Sequence, residues 1–393
     1  MKRNLTLHYS LNQVFYWAAI GGVVSFAASY LLSQGFTAAQ IGWILFGAYI
    51  LSFLLQPVVG AFADRSKKSV LTLIMIALCC VSALCYLAIL FIPAGKLVFA
   101  LLYLVGVLAL DMQVPLMNSL SVYYPKHGYK INYGLGRGMG GFGYALATLG
   151  YGYLIEYLGE KFMVAAALVF IVLSALMTVT YPKTEASAES EELSEKQNTV
   201  SLAKFFVKYK WYCVSLLGVL FLGMFHVMTE NYFIEIFKRI GGDNSNVGTA
   251  LFIATLTELP AMAVFTVVLN RLGIKKIMLF SALAFMLKAV LLIFATTVTQ
   301  RYLIQLTQCV NYVFIAMGQV YYAEECTDAA DMIKGQSTVT ASYTLGCAVG
   351  NLLGGVIISA SGVAALLNIG FGVTAVGLAI FLITLPKSLK KVA

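Results

Sequence analysis

Residues 56–68 read Gln-Pro-Val-Val-Gly-Ala-Phe-Ala-Asp-Arg-Ser-Lys-Lys, and residues 268–276 read Val-Leu-Asn-Arg-Leu-Gly-Ile-Lys-Lys. Each is a short basic loop between two long apolar stretches. Asn270-Arg271 repeats Asp64-Arg65 at a spacing of 206 residues. A loop of one kind recurring at half the chain length implies a half-protein written twice.

Composition places the duplicated halves. Hydrophobic residues make up 60% of the 393-residue chain, charged residues 11%, and the mean hydropathy is +0.86. A soluble domain carries about 25% charge, so the chain reads as a multi-pass membrane protein with little soluble mass. The formal charge of +9 invites a nucleic-acid partner. That partner is excluded because the basic residues are spread through short loops instead of gathered in one patch. The seven cysteines lie in or at the ends of apolar stretches, with no metal-like spacing, and read as small packing residues. No cofactor and no metal site is expected. The first apolar stretch is too long for a cleaved signal peptide and lacks a small-residue cleavage site.

A helix crossing a bilayer needs about 20 apolar residues. Twelve such stretches are legible: 10–33, 38–63, 69–92, 97–124, 134–157, 162–181, 212–237, 247–269, 274–297, 302–324, 336–360 and 364–386. The expected architecture is an all-α membrane protein of twelve transmembrane helices in two pseudo-symmetric six-helix halves. Residues 1–181 form the first half and 211–393 the second. Residues 182–210 form a polar, acidic linker whose end, from Val200 to Lys210, alternates basic and aromatic residues as a membrane-surface segment does. With both termini on one side, nineteen of the 26 lysines and arginines fall on that side and five on the other. The excess puts both termini in the cytoplasm. The expected setting is the plasma membrane, bacterial, with the chain working as a monomer.

Several stretches carry a family resemblance. The loop with Gly60, Asp64-Arg65 and Lys67-Lys68, its second-half copy and the acidic linker resemble the major facilitator superfamily over essentially the whole chain. Phe15-Tyr16-Trp17, Ser52-Phe53-Leu54-Leu55-Gln56-Pro57, and Asn132 to Arg137 with the glycines of Gly140-Gly141-Phe142-Gly143-Tyr144 are similar to the oligosaccharide:proton symporter branch. Thr257-Glu258-Leu259-Pro260 is similar to its phenylpropionate-permease-like members. Lys288 stands where lactose permease, in the same branch, has an arginine. The resemblance implies the major facilitator fold, alternating access to a midplane site between the halves, and a substrate-binding role for Arg137. Departures matter as well. The positions that carry lactose permease's carboxylate on helix 4 and its charged residues on helices 10, 7 and 11 fall near Asn118, Gln308, Asn311, His226 and Tyr343. Lactose as substrate is therefore not implied.

Ionisable residues inside a span are costly, about 3 kcal/mol each at mid-bilayer, and mark function by default. Glu258 lies in the eighth span as a hydroxyl acceptor or proton carrier; the plainer reading pairs it with Lys288 on the next span. Lys288 has no obvious route to the surface. Arg137 offers a guanidinium fork to vicinal hydroxyls or a carboxylate, or is only a flanking charge. His226 and Glu230, four apart, share a helix face and suit a proton relay, or His226 is a core histidine. Asp111 lies mid-span with Gln113, and Asn118 is two turns on. Gln305, Gln308 and Asn311 form an amide stripe suited to a hydroxyl-rich ligand, or to helix–helix bonding. Trp17 and Tyr144 could stack on a sugar ring, although such aromatics more often pack. Together with Asn231 on the seventh span, these give substrate-binding candidates Trp17, Asn118, Arg137, Tyr144, Asn231, Glu258, Lys288, Gln308 and Asn311. The proton-coupling candidates are Asp111, His226, Glu230 and Glu258. Asp64, Arg65, Arg271 and Asp331 are gating candidates, with Asp331 in an acidic cluster expected to meet the basic loops.

The expected function is secondary active transport of a small polar solute, a saccharide or glycoside, by proton symport. The alternatives are a proton-driven exporter of drugs or amphipathic metabolites, and a permease for aromatic acids or nucleosides. An enzyme is not expected: no nucleophile or metal cluster and no nucleotide-binding motif is visible, and the glycines of residues 134–143 follow no strand.

Overall fold

A computed structural model of the protein describes residues 4–65, 70–93, 95–182, 202–328 and 331–388. The linker expected at 182–210 lies mostly outside these. The described chain is built of sixteen helices. They are α1 (Thr6–Val23), α2 (Ala27–Ser33), α3 (Ala38–Arg65), α4 (Leu71–Phe91), α5 (Lys96–Asp111), α6 (Gln113–Lys126), α7 (Tyr133–Leu158), α8 (Glu160–Val179), α9 (Leu202–Lys208), α10 (Lys210–Glu230), α11 (Phe233–Lys238), α12 (Asn244–Leu272), α13 (Ile274–Phe294), α14 (Val298–Gln305), α15 (Gln308–Cys326) and α16 (Met332–Ser388).

Among the described residues nine helical segments are long and apolar enough to cross a membrane, or ten when the bent pair α1–α2 counts as one. Twelve were expected, and the difference has two physical sources. The 57-residue α16 holds the last two expected spans in one run, joined at Gly362, whose φ of 77° breaks the helical geometry. Its two arms are the expected 336–360 and 364–386. The 26-residue α7 is long enough but is not among the apolar segments; six glycines and Arg137 dilute its first eleven residues.

The chain divides into two compact units. The first comprises residues 1–34 and 47–198, the second 35–46 and 199–393. In the first, α1 packs on α7 and α8, and α4 on α5 and α8. The seam between α1 and α7 is close because α7 presents glycines. A Cβ on Gly140 would sit 2.6 Å from a Trp17 ring carbon, so even alanine there pushes the indole away. In the second unit, the dominant packing is between α10 and α16, with α13 against α15 and α16, and α12 against α15. The contact is between backbones. A methyl on Gly346 or Gly350 of α16 would collide with the main-chain carbonyl of Leu220 or Met224 on α10. Small residues at such seams let helices approach where no hydrophobic drive exists between them. The first turn of α3 belongs to this unit: Ala39 N–H donates to Ser359 Oγ at 2.8 Å.

Local sequence chemistry sets the helix starts. Asn132 caps α7 by accepting from Leu135 N–H at 3.0 Å. Reciprocal capping boxes open α12 (Asp243 with Asn246) and α14 (Thr297 with Gln300). The expected spans are also interrupted within their length, between α1 and α2, at Met112 between α5 and α6, at Asn231-Tyr232 between α10 and α11, and at Leu306-Thr307 between α14 and α15. Three of these four breaks place a candidate residue beside them.

The end of the linker is fastened to the second unit by a polar latch. Lys208 Nζ lies 2.8 Å from Asp331 Oδ2 and 2.9 Å from Asp328 Oδ2. The Tyr209 hydroxyl donates to both carboxylates, at 2.9 and 2.8 Å, and accepts from Asp328 N–H at 3.1 Å. The acidic cluster of Asp331 was expected to meet the basic loops; the side chains of the first loop lie outside the described residues, and among the described residues Arg271 makes no ion pair with the cluster. Among the described residues Asp331 is met by Lys208 and Tyr209, with Lys334 Nζ at 3.9 Å. Lys208 and then Tyr209 hold the Asp331 carboxyl below its ordinary value of 3.8, and Asp331 first among its partners raises the Lys208 ammonium above 10.5. The carboxylate's stabilisation is present above 3.8 and lost as pH falls through its lowered value. The ammonium's is present below 10.5 and lost as pH rises through its raised value. Asp331→Asn should therefore lower the melting temperature by a constant amount between those limits. The gap should close in acid; a gap that persists well below pH 3.8 would show that the loss is not the ion pair.

Candidate functional site

Each unit carries its own cluster of polar side chains inside the apolar helices. In the first unit the centre is Asp111, the last residue of α5. Its Oδ2 accepts from Ser52 Oγ at 2.5 Å and from Gln56 Nε2 at 3.4 Å. Ser52 and Gln56, one helical turn apart on α3, also bond each other at 3.0 Å. Among the described residues no cation lies within ion-pair distance of Asp111. This is a carboxylate held only by uncharged donors. Gln113, across the break, is fully buried and accepts from Cys79 Sγ at 3.2 Å.

Beside it Tyr16 donates to the Leu110 carbonyl at 2.9 Å and meets Trp17 edge-on at 5.5 Å. The guanidinium carbon of Arg137 stands 4.4 Å from the centre of the Trp17 ring, a cation–π arrangement. Trp17 Nε1–H donates to Gln13 Oε1 at 2.9 Å, and Gln13 Nε2 to Tyr9 Oη at 2.7 Å. The result is a braced indole under an arginine that has no carboxylate within ion-pair distance among the described residues. Its five N–H donors stay available to hydroxyls or a carboxylate. Tyr144 lies one turn beyond Gly140, and its hydroxyl shares a 2.8 Å hydrogen bond with Ser25 at the α1–α2 break. Asn118 is half-buried on α6; its main-chain carbonyl accepts from Ser121.

The second cluster centres on Lys288 of α13, which is 0% exposed. Its Nζ lies 2.7 Å from Glu230 Oε1, 3.1 Å from Gln308 Oε1 and 3.5 Å from Gln305 Oε1. Three elements converge on one ammonium: α13 supplies it, the end of α10 the carboxylate, and the α14–α15 break the two amides. The plainer of the two sequence readings of Glu258 paired it with Lys288. That pairing is corrected here, because α10 delivers Glu230 to the lysine, whereas Glu258, half-buried on α12, has Cys309 of α15 as an electrostatic neighbour. His226, one turn before Glu230, stacks on Tyr312 with ring centres 4.8 Å apart and planes at 13°. Among the described residues its Nδ1 is buried without a hydrogen-bond partner, as are Gln305 Nε2 and Asn311 Oδ1. Asn311 otherwise serves the packing: its carbonyl accepts from Ser281 and its Nδ2 donates to Thr307. Asn231 is likewise committed, donating to Asn351 Oδ1 at 2.7 Å and so tying the α10–α11 break to α16.

Asp64 and Arg65 close α3, but their side chains lie outside the described residues. Arg271 lies in the last turn of α12 with no carboxylate within ion-pair distance among the described residues. The residues missed in the sequence are the supporting ones: Gln13, Ser52, Gln56 and Asn351. All are polar within apolar stretches, and the i, i+4 spacing of Ser52 and Gln56 was the available signal.

Buried charges and amides inside a bundle of membrane-length helices define a multi-pass membrane protein of the transporter type of fold. Solved structures share it. A nucleoside transporter, NupG, superposes with a TM-score of 0.81 at 16% identity, covering 98% of this chain and 99% of that one. A D-xylose-proton symporter does so with a TM-score of 0.70 at 16% identity, covering 98% and 97%. Residues 6–369 match the family model described as MFS_1 like, and the chain belongs to that family. A maltose permease of Geobacillus stearothermophilus is 26% identical over 270 residues, which is 67% of this chain and 65% of that protein.

Proposed function

We propose that the chain is a secondary active transporter that carries a small polar solute, a saccharide or glycoside, in symport with protons by alternating access. The observation that carries this is the second-unit cluster: a fully buried lysine met by one carboxylate and two amides inside apolar helices. A stable membrane core gains little from such an arrangement, since two buried charges cost more to desolvate than a well-packed apolar pair. Its amides and the unpartnered atoms of His226, Gln305 and Asn311 offer both donors and acceptors, which matches the mixed character of hydroxyls. The Arg137–Trp17 pair supplies a donor fork beside an aromatic face, the two features that hold a sugar ring. Asp111 is the proton carrier on this reading, because a proton neutralises it without breaking an ion pair. The maltose permease and the D-xylose-proton symporter, by their names, handle sugars, which supports the same class. The excess of basic residues on the terminal side supports cytoplasmic termini.

The test is uptake into vesicles with an acidic outside, across mono- and disaccharides, glycosides, nucleosides, aromatic acids and lipophilic cations. Saccharide accumulation that collapses with a protonophore, and is lost in Arg137→Ala, is the expected result. Accumulation of nucleosides or aromatic acids alone would replace the substrate class. Proton-driven efflux of lipophilic cations would replace symport by export.

A further inference from the structure

Beyond the latch stands a second group of cations. Lys210 opens α10, and Lys387 lies in the last turn of α16. Both ammonium groups approach the same indole: Lys387 Nζ is 4.3 Å and Lys210 Nζ 5.8 Å from the Trp211 ring centre. Lys204 stands exposed on α9. Among the described residues none of the three has a carboxylate within ion-pair distance, while Lys208 is paired with Asp328 and Asp331. Like charges gathered around one ring repel one another, and an anion among them relieves that repulsion.

The surroundings select which anion. The cluster stands at the ends of two membrane-length apolar segments, 210–230 and 334–388. On α9, Phe205 is buried, while Phe206 is 48% and Val207 78% exposed. A soluble anion gains nothing from an exposed phenylalanine and valine beside the charges. A phospholipid does, by laying acyl chain against them while its phosphate accepts from the ammoniums. Indoles and lysines together favour the headgroup level of a bilayer.

We propose that Lys210, Trp211 and Lys387 bind the headgroup of an anionic phospholipid, with the exposed face of α9, which carries Lys204, resting in the same leaflet. The inference rests on the membrane setting and stands whichever solute is carried.

The experiment uses the full chain, purified in detergent micelles doped with phosphatidylglycerol or phosphatidylcholine. Bound lipid is counted by native mass spectrometry, and melting temperature is followed in parallel. Phosphatidylglycerol should be retained and raise the melting temperature more than phosphatidylcholine. Lys210→Gln with Lys387→Gln should weaken that retention about fivefold per charge removed, and the arginine pair should restore it. An unchanged response to phosphatidylcholine shows that the glutamine variant is folded. Equal phosphatidylglycerol retention by wild type and the glutamine variant would overturn the site. So would glycerol phosphate stabilising the protein as well as phosphatidylglycerol does, which would mean a site for soluble anions.

Discussion

Replacing Lys288 by methionine should abolish solute uptake and lower the stability of the second unit by about 3–5 kcal/mol, the usual loss when one partner of a buried pair is removed. The cause is the partner left behind. Glu230 is 12% exposed and its cation is Lys288 at 2.7 Å; without it a carboxylate remains inside apolar helices with no compensating charge. Gln305 and Gln308 present their oxygens to the same ammonium, and these too would face a carboxylate and a thioether. The double variant Lys288→Met with Glu230→Gln removes both charges and should return the melting temperature close to wild type. Uptake separates structure from function. If the double variant is stable and inert, the pair acts in transport. If it is stable and active, the pair only holds α10 against α13, and the solute site must be sought at Arg137 and Trp17.

Asp111→Asn should uncouple transport from the proton gradient without unfolding the first unit. Asparagine keeps an oxygen for the Ser52 hydroxyl, so the bond now 2.5 Å long has a successor, but it has no proton to take up or release. A symporter moving one proton per solute accumulates solute about tenfold for each pH unit of gradient. The variant should show none of that accumulation, while exchange of labelled for unlabelled solute across a membrane without a gradient continues. Accumulation at the wild-type level would remove Asp111 from the coupling scheme and pass the role to Glu258 or to the His226–Glu230 face. Loss of exchange as well would mean that Asp111 holds the solute or the fold.

How far the sequence could be read depended on the kind of question. Most of the spans follow from hydropathy, because lipid forces every backbone group into a helix, with glycine-rich α7 the exception, and the residues unusual in a membrane, Asp111, Arg137, Glu230 and Lys288, stand out against leucines for the same reason. Partners were not legible. Glu258 and Glu230 were equally available to Lys288, and choosing between them requires knowing which helix face turns toward α13. That orientation is set by the α10–α16 seam and the α10–α11 break, and neither has a periodic signature. The same holds for Gln305, Gln308 and Asn311, evenly spaced in sequence. Gln305 and Gln308 flank the broken turn at Leu306-Thr307 and both meet the lysine, whereas Asn311, further along α15, bonds to Ser281 and Thr307. The acidic cluster of Asp331 was placed against the basic loops because both are charged and lie at one membrane face; its contact with Lys208 joins residues 123 apart in the chain and has no signature in the sequence.

The glycine seam between α10 and α16 also says where this unit can bend. Helices whose main chains touch at Gly346 and Gly350 cannot slide without first separating, and separation would open an unfilled gap along the seam. The pair therefore behaves as one stiff beam. Compliance has to come from its ends, at the interrupted turn of Asn231-Tyr232 and at Gly362, where backbone angles already depart from the helix. The first joint is itself tied to α16, since Asn231 Nδ2 donates to Asn351 Oδ1 at 2.7 Å. The Tyr232 hydroxyl donates to the Asn351 main-chain carbonyl as well, at 2.8 Å, so both residues of the first joint are clasped to Asn351, and movement there has to carry this point of α16 with it.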